Sequence, residues 1–130
     1  MRLLLDTHVA LWATLASRML KPGERTLIEG ADQIFVSVAS IWEIAIKHRL
    51  RRGRPDDMPI PGREALSVFK EAGYRVLPVF AEHAAAVDDL PPIHADPFDR
   101  ILVAQALTEP MRLLTRDGRL RKYGALVTVS

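Results

Sequence analysis

The sequence predicts an α/β domain of three layers, an α/β/α sandwich whose central sheet is mainly parallel. Three observations predict it. Short apolar runs alternate with stretches of helical period along the chain. Those runs are continuous rather than alternating, as strands covered on both faces require. At 130 residues and 48% hydrophobic content, the chain can build one core but not two, so a single domain over residues 1–130 is expected.

The elements follow in order. Arg2 to Leu5 reads as a short buried strand, and from His8 the spacing of Val9, Leu11, Trp12 and Leu15 sets a helix running towards Leu20. Lys21-Pro22-Gly23 breaks it, a short helix spans Glu24 to Glu29, and Gln33 to Ser37 is β-rich. The next helix carries Ile41, Trp42, Ile44, Ala45 and Ile46, and Trp12 and Trp42 are read as core anchors among their aliphatic neighbours. Gly53 to Pro61 is the one substantial loop. A helix from Arg63 to Ala72, a strand from Tyr74 to Val79 and a helix from Ala81 to Asp89 come next. After a second loop at Leu90 to Ala95, Pro97 opens a helix that Pro110 stops. Strands at Arg112 to Thr115 and Ala125 to Val129 flank a short helix at Arg119 to Tyr123. No internal repeat or low-complexity stretch interrupts this order.

Composition narrows the chemistry. The chain has no cysteine, which excludes disulfides, zinc-thiolate sites and thiol nucleophiles and leaves carboxylates and histidines as metal ligands. Hard oxygen ligands favour magnesium or manganese. No apolar run is long enough to span a bilayer, and Asp6 interrupts the apolar N-terminus, so a soluble, cytoplasmic protein without a membrane association is expected. The formal net charge of +2 names no partner. Its distribution is more telling, because basic residues, mostly arginine, crowd into Lys47 to Arg54 and again at Arg112, Arg116, Arg119, Arg121 and Lys122. Such clusters suit phosphate, and they equally suit solvated helix ends.

In an open parallel sheet, ligands bind beyond the carboxyl ends of the strands. Acids recur there: Asp6 after the first strand, Glu43 in the helix after the second, Asp96 and Asp99 at the start of the helix before the fourth, and Asp117 after the fourth. Each has a structural reading of its own. Asp6 and Asp96 suit helix N-caps, Glu43 stands at capping-box spacing from Ser40, Asp99 is an acid in a first turn that complements the helix dipole, and Asp117-Gly118 is a turn dipeptide. Independent caps have no reason to converge on one end of a sheet, however, and carboxylates brought together raise one another's pKa unless a divalent cation joins them. A cation so held also binds substrate phosphate.

Four stretches then carry a resemblance: Leu3-Leu4-Leu5-Asp6-Thr7-His8 with Trp12; Ser37 through Lys47 around Ser40-Ile41-Trp42-Glu43; His94-Ala95-Asp96-Pro97-Phe98-Asp99-Arg100 through Ala106; and Leu114-Thr115-Arg116-Asp117. In order and spacing they resemble the PIN domain, and within it the VapC-type ribonuclease toxins of type II toxin–antitoxin systems. The resemblance implies an Mg²⁺- or Mn²⁺-dependent endoribonuclease, with metal held by Asp6 and Asp99 and with Glu43 and Asp117 completing a catalytic acidic pocket. Secondary positions are Asp96, as helix cap or metal contact, Thr7 and Thr115, which orient a carboxylate or cap the backbone, and Arg100 and Arg116, which hold phosphate or lie solvated. His8 and His94 are assigned to local packing or loop hydrogen bonds. The implied partners are an RNA substrate, transfer and ribosomal RNA alike, a cognate antitoxin entering the acidic groove, and a second copy of the chain.

Rival classes are a catalytically silent PIN-like module that binds RNA or protein, and an aspartyl-phosphate domain. A haloacid-dehalogenase-like phosphatase needs a second Asp two residues after the first, where His8 stands. A receiver domain needs its acceptor Asp after the third strand, where Val79-Phe80 stands.

Overall fold

The computed structural model describes residues 1–15, 17–93 and 95–130; the reading of His94 lies outside them. The chain order is β1 (Arg2–Leu5), α1 (Thr7–Thr14), α2 (Pro22–Gly30), β2 (Gln33–Ser37), α3 (Val38–Arg49), α4 (Gly62–Glu71), β3 (Arg75–Leu77), α5 (Ala81–Ala86), α6 (Pro97–Thr108), β4 (Arg112–Thr115) and β5 (Val127–Val129), with 3₁₀ turns at Val87–Asp89 and Gly118–Tyr123. The five strands form one sheet in the order β3-β2-β1-β4-β5, and every pairing is parallel.

Both faces of the sheet are covered, as its continuous apolar strands demand. Leu3, Leu5, Val36 and Leu114 pack with Val9 of α1, Ile44 of α3 and Phe69 of α4. Leu4, Leu77, Leu113 and Val127 face the other way, onto Leu102, Val103 and Ala106 of α6. Successive residues of β1 thus feed opposite cores, which is the period-two geometry of a strand. Among the described residues, no helix is long and apolar enough to cross a membrane.

Several boundaries shift for local reasons. The first helix stops at Thr14, whose hydroxyl bonds back to the Ala10 carbonyl. The second begins at Pro22 rather than Glu24, with proline in the first turn where its missing N–H costs nothing. Ser37, not Ser40, caps α3 by accepting from the Ala39 amide at 3.0 Å, so Glu43 sits mid-helix and is no part of a capping box. The third strand ends at Leu77 because Pro78 cannot donate to a ladder. Residues 125 and 126 turn after Gly124, whose φ of 131° disfavours other residues, and β5 starts only at Val127.

The two tryptophans depart from the expected core role. Trp42 is 62% exposed; α3 turns its buried face, with Ala39, Ser40, Glu43 and Ile44, inward and leaves Trp42 outside, edge-on to Phe98 with centroids 5.4 Å apart. Trp12 is only half-buried, packed against the edge of the core.

One close approach fixes how α3 and α4 meet. A Cβ built on Gly62 would lie 2.7 Å from the Ala45 Cβ and 3.1 Å from the Ile41 carbonyl. Gly62→Ala is therefore expected to destabilise the fold by about 1–3 kcal/mol through overpacking. Thermal melting checks it, and Ala45→Gly in the same chain should return part of the loss.

Candidate metal and RNA-cleavage site

The strand order reverses direction between β1 and β4, which makes the crevice beyond their carboxyl ends the topological switch point of the sheet. The chain enters it at Asp6 on one side and at Thr115, Arg116 and Asp117 on the other. Asp6 still donates its backbone N–H to the Leu114 carbonyl at 3.0 Å, so the two loops are stitched together where they leave the sheet. A cleft of about 1020 Å³ opens here, lined by Asp6, Glu43, Asp96, Asp99 and Asp117 together with Asp56 and Asp57 of the long loop.

Asp6 caps α1. One carboxylate oxygen accepts from the Thr7 amide at 2.6 Å and the other from the Thr115 hydroxyl at 2.7 Å. Thr115 is buried and accepts in turn from the Asp117 amide at 3.0 Å, so one hydroxyl ties the ends of both strands. Burial pushes the Asp6 carboxyl up, the bonds from Thr115 and Thr7 pull it down, and the net position is above the usual carboxylate range. A nearby cation reverses that cost.

Glu43 lies on the buried face of α3, 5% exposed. Oε1 accepts from the Thr7 hydroxyl at 2.6 Å and Oε2 from Lys47 Nζ at 2.6 Å. Thr7 Oγ1 also lies 2.8 Å from Ser40 Oγ, and since Thr7 has a single hydroxyl proton, Ser40 donates to it. Burial pulls the Lys47 ammonium down, but its bond to Glu43 and the fields of Glu43, Asp96 and Asp99 outweigh this and hold it above its usual range.

Asp96 caps α6, accepting from the Phe98 amide at 2.9 Å, and Asp99 stands in the first turn of that helix. Asp117 caps the 3₁₀ turn, accepts from the Arg119 amide at 3.0 Å, and is clasped by the Arg119 guanidinium at 2.9 and 2.8 Å. That clasp raises Arg119 above its ordinary range, with Asp99 and Asp96 adding to it. The acids thus line one cleft, and three of them, Asp6, Asp96 and Asp117, also serve as caps.

Two predicted positions differ in fate. Arg100 does not line the cleft; it bonds the carbonyls of Val87 at 3.2 Å and Pro91 at 3.1 Å and the Tyr123 hydroxyl at 3.3 Å, and so braces the loops beside α6. Arg116 does line it. Its guanidinium lies over the Trp12 ring, 4.0 Å from the centroid, and forms a bidentate pair with fully buried Glu24, Nε to Oε2 at 2.9 Å and Nη2 to Oε1 at 2.6 Å. Burial pushes the Glu24 carboxyl up, but bonds from Arg116, Ser130 and the Lys21 amide overcome it and hold it at about 2. Sequence reasoning missed Glu24, since an acid in the first turn of a short helix looks like any dipole-complementing residue. Asp56 and Asp57 were missed for a similar reason, as ordinary residues of a polar loop.

His8 lines the cleft and packs at a tilt on Trp12, centroids 5.6 Å apart. The arginine-rich segment contributes Arg52 and Arg54 to a smaller hollow of about 370 Å³, which shares His8, Lys47, Asp56 and Asp57 with the main cleft. Arg112 starts β4 and therefore stands at the opposite end of the sheet.

The donor set suits a hard divalent cation. Among the described residues, no three carboxylate or imidazole side chains are gathered tightly enough to enclose an ion. Magnesium needs fewer, since it commonly takes one or two carboxylates and completes its octahedron with water and phosphate. Asp6, raised by burial, together with Asp99 across the cleft, fits that requirement.

A three-layer α/β protein with an acidic cleft at the switch point of a five-stranded parallel sheet is what fold and site define. The sequence matches the PIN domain family over residues 3–126, and this chain is a PIN-domain protein. It is 32% identical over 121 residues to Ribonuclease VapC22 of Mycobacterium tuberculosis, covering 92% of this chain and 90% of that protein. Its fold resembles VapBC2 from Rickettsia felis bound to a promoter DNA fragment, with a TM-score of 0.69 at 12% identity, covering 100% of this chain and 98% of that one. It likewise resembles a toxin–antitoxin complex from Klebsiella pneumoniae, with a TM-score of 0.66 at 14% identity, covering 97% and 95%.

Proposed function

We propose that this chain is a divalent-metal-dependent endoribonuclease, the toxin of a toxin–antitoxin pair. The observation that carries the reading is the meeting of Asp6, Glu43, Asp99 and Asp117 in one cleft at the switch point, on a chain similar to a ribonuclease along nine-tenths of its length.

In this reading Asp6 and Asp99 hold the cation. When bound, it supplies charge neutralisation at the phosphate and acidifies a water. The chain's own groups do the rest. Thr115 and Thr7 fix both oxygens of Asp6, so the carboxylate cannot swing away. Glu43 makes one bond through each oxygen and keeps further lone pairs on both, which lets it accept a proton from the attacking water. Asp117, clasped by Arg119, contributes field more than freedom of movement. The water oxygen bonds to phosphorus as the bond to the 3′-oxygen breaks in line; Glu43 takes the water's proton, the departing 3′-oxygen takes one from solvent, and the products are a 3′-hydroxyl and a 5′-phosphate.

The proposal extends to partners. The cleft has an apolar stretch formed by Val9, Leu15, Met19 and Pro59 beside its acids, which suits an antitoxin segment carrying apolar side chains and an arginine. Exposed Val38 and Trp42 beside Phe98 offer an apolar face for a second copy.

Purified chain incubated with total bacterial RNA and Mn²⁺ is expected to release fragments with new 5′-phosphate ends, and EDTA is expected to stop it. Addition of Mn²⁺ or Mg²⁺ should raise the melting temperature of the native chain, because an ion bound only when folded stabilises the fold. RNA left intact, with a melting temperature indifferent to either ion, would remove the reading.

A further inference from the structure

Glu24 has no place in the chemistry above, yet it is among the most completely buried charged groups in the molecule. It stands in the first turn of α2, far from the acidic positions along the chain, and everything around it is arranged to hold Arg116. Its two oxygens take Nε and Nη2 of the guanidinium in a fork at 2.9 and 2.6 Å. The Ser130 hydroxyl donates to it at 2.6 Å and the Lys21 amide at 2.8 Å. Nη2 spends its second hydrogen on the Met19 carbonyl. The Trp12 ring closes one face of the guanidinium at 4.0 Å.

An arginine has five N–H donors in a rigid plane. Three are consumed by this cradle, and among the described residues the two on Nη1 have no protein partner. The side chain is 21% exposed and lines the acidic cleft beside Asp6 and Asp117. Merely stapling α2 to the loop after β4 needs no charge: apolar residues in place of a buried ion pair usually serve stability as well or better. A guanidinium held along one edge and over one face, in a side chain that lines the cleft and leaves Nη1 unclaimed, is an arrangement for receiving an anion there. It resists the rotamer freedom that an arginine otherwise loses on binding.

We propose that Glu24, with Trp12, is a positioning residue for RNA cleavage: it fixes Arg116 so that the Nη1 edge receives a non-bridging oxygen of an RNA phosphate next to the acidic site. The inference rests on the ribonuclease reading. Lys47, the other permanent cation lining the cleft, is occupied by Glu43. Arg116 therefore carries the phosphate contact, and Glu24 acts only through it.

The test uses the full chain and an RNA oligonucleotide carrying a sequence that the unmodified protein cuts in total RNA with Mn²⁺. Glu24→Gln and Arg116→Lys are compared with Arg25→Gln, an exposed neighbour on α2 that serves as a charge-matched control for Arg116. A Glu24→Gln/Arg116→Gln double variant leaves no lone buried charge and so guards against a fold lost for that reason. Positioning predicts KM raised about tenfold in Glu24→Gln and in Arg116→Lys, with kcat changed less than about threefold, as expected when a binding group is present but misplaced. The double variant should also show a salt dependence of kcat/KM shallower by about 0.7 in log–log slope, one phosphate contact on a single strand. Arg116→Lys should keep the native slope. A staple with no part in binding would instead lower the melting temperature and the active fraction while KM and slope stay native, and that result overturns the proposal. Total RNA left uncut by the unmodified chain would sink the ribonuclease reading itself, and this inference with it.

Discussion

Asp99→Asn is expected to leave the chain folded while lowering RNA cleavage on the order of a thousandfold, the scale set by removing one group that stabilises charge at a reacting centre. The cap bond of α6 is made by Asp96, and the field of Asp99 on the helix dipole contributes about 0.3–1 kcal/mol. Asp6→Asn is expected to lose cleavage to a similar degree for the complementary reason. Its carboxylate is buried and raised above its ordinary range when no cation is near, so a neutral amide is tolerated by the empty fold but cannot hold the ion. Two measurements go together: the rate on an RNA substrate, and melting with and without Mn²⁺. Near-native melting in EDTA with no further rise on adding Mn²⁺ marks the site as a metal centre. Undiminished cleavage in both variants excludes it as drawn.

Arg116→Met is expected to destabilise the fold by about 3 kcal/mol at pH 7, because it leaves the Glu24 charge buried without a partner. The low end of the usual range applies, since Arg116 is itself a fifth exposed. The pH dependence follows from Glu24, whose carboxyl in the folded chain lies at about 2, against an ordinary value of 4.5. Depressed on folding, it contributes stability that is fully present above about pH 4.5 and is lost as pH falls towards 2. The unmodified chain should lose stability across that window. The variant should lose less, or gain, because protonation relieves its unpaired charge. The gap between their melting temperatures should narrow from pH 6 to pH 3, and a gap constant with pH would show that Glu24 is not the group concerned.

Much of the fold was legible in the chain because its signals are local. Arg2 to Leu5 is too short and too apolar to be anything but a buried strand, and Pro97 after Asp96 marks a helix start without help from elsewhere. Breakers set the boundaries that came out differently. Pro78 shortens β3, Gly124 delays β5, and Ser37 starts α3 earlier than the expected capping pair. Burial was harder to read. Trp42 has the composition of a core residue and the helical phase of a surface one, and phase wins because α3 can turn only one face to the sheet.

The sequence by itself determined the alternation of strand and helix, the chemistry of an acid-lined site free of thiols, and the positions of Asp6, Glu43, Asp96, Asp99 and Asp117 near strand ends. Periodicity and capping act over a few residues, so they are written where they operate. Only the tertiary structure decided that Thr7 serves Glu43, that Thr115 serves Asp6, and that Glu24 holds Arg116 against Trp12. Those pairings join residues tens of positions apart, and their partners are chosen by strand order and helix packing, which bring distant side chains within bonding range only once the sheet has closed around its switch point.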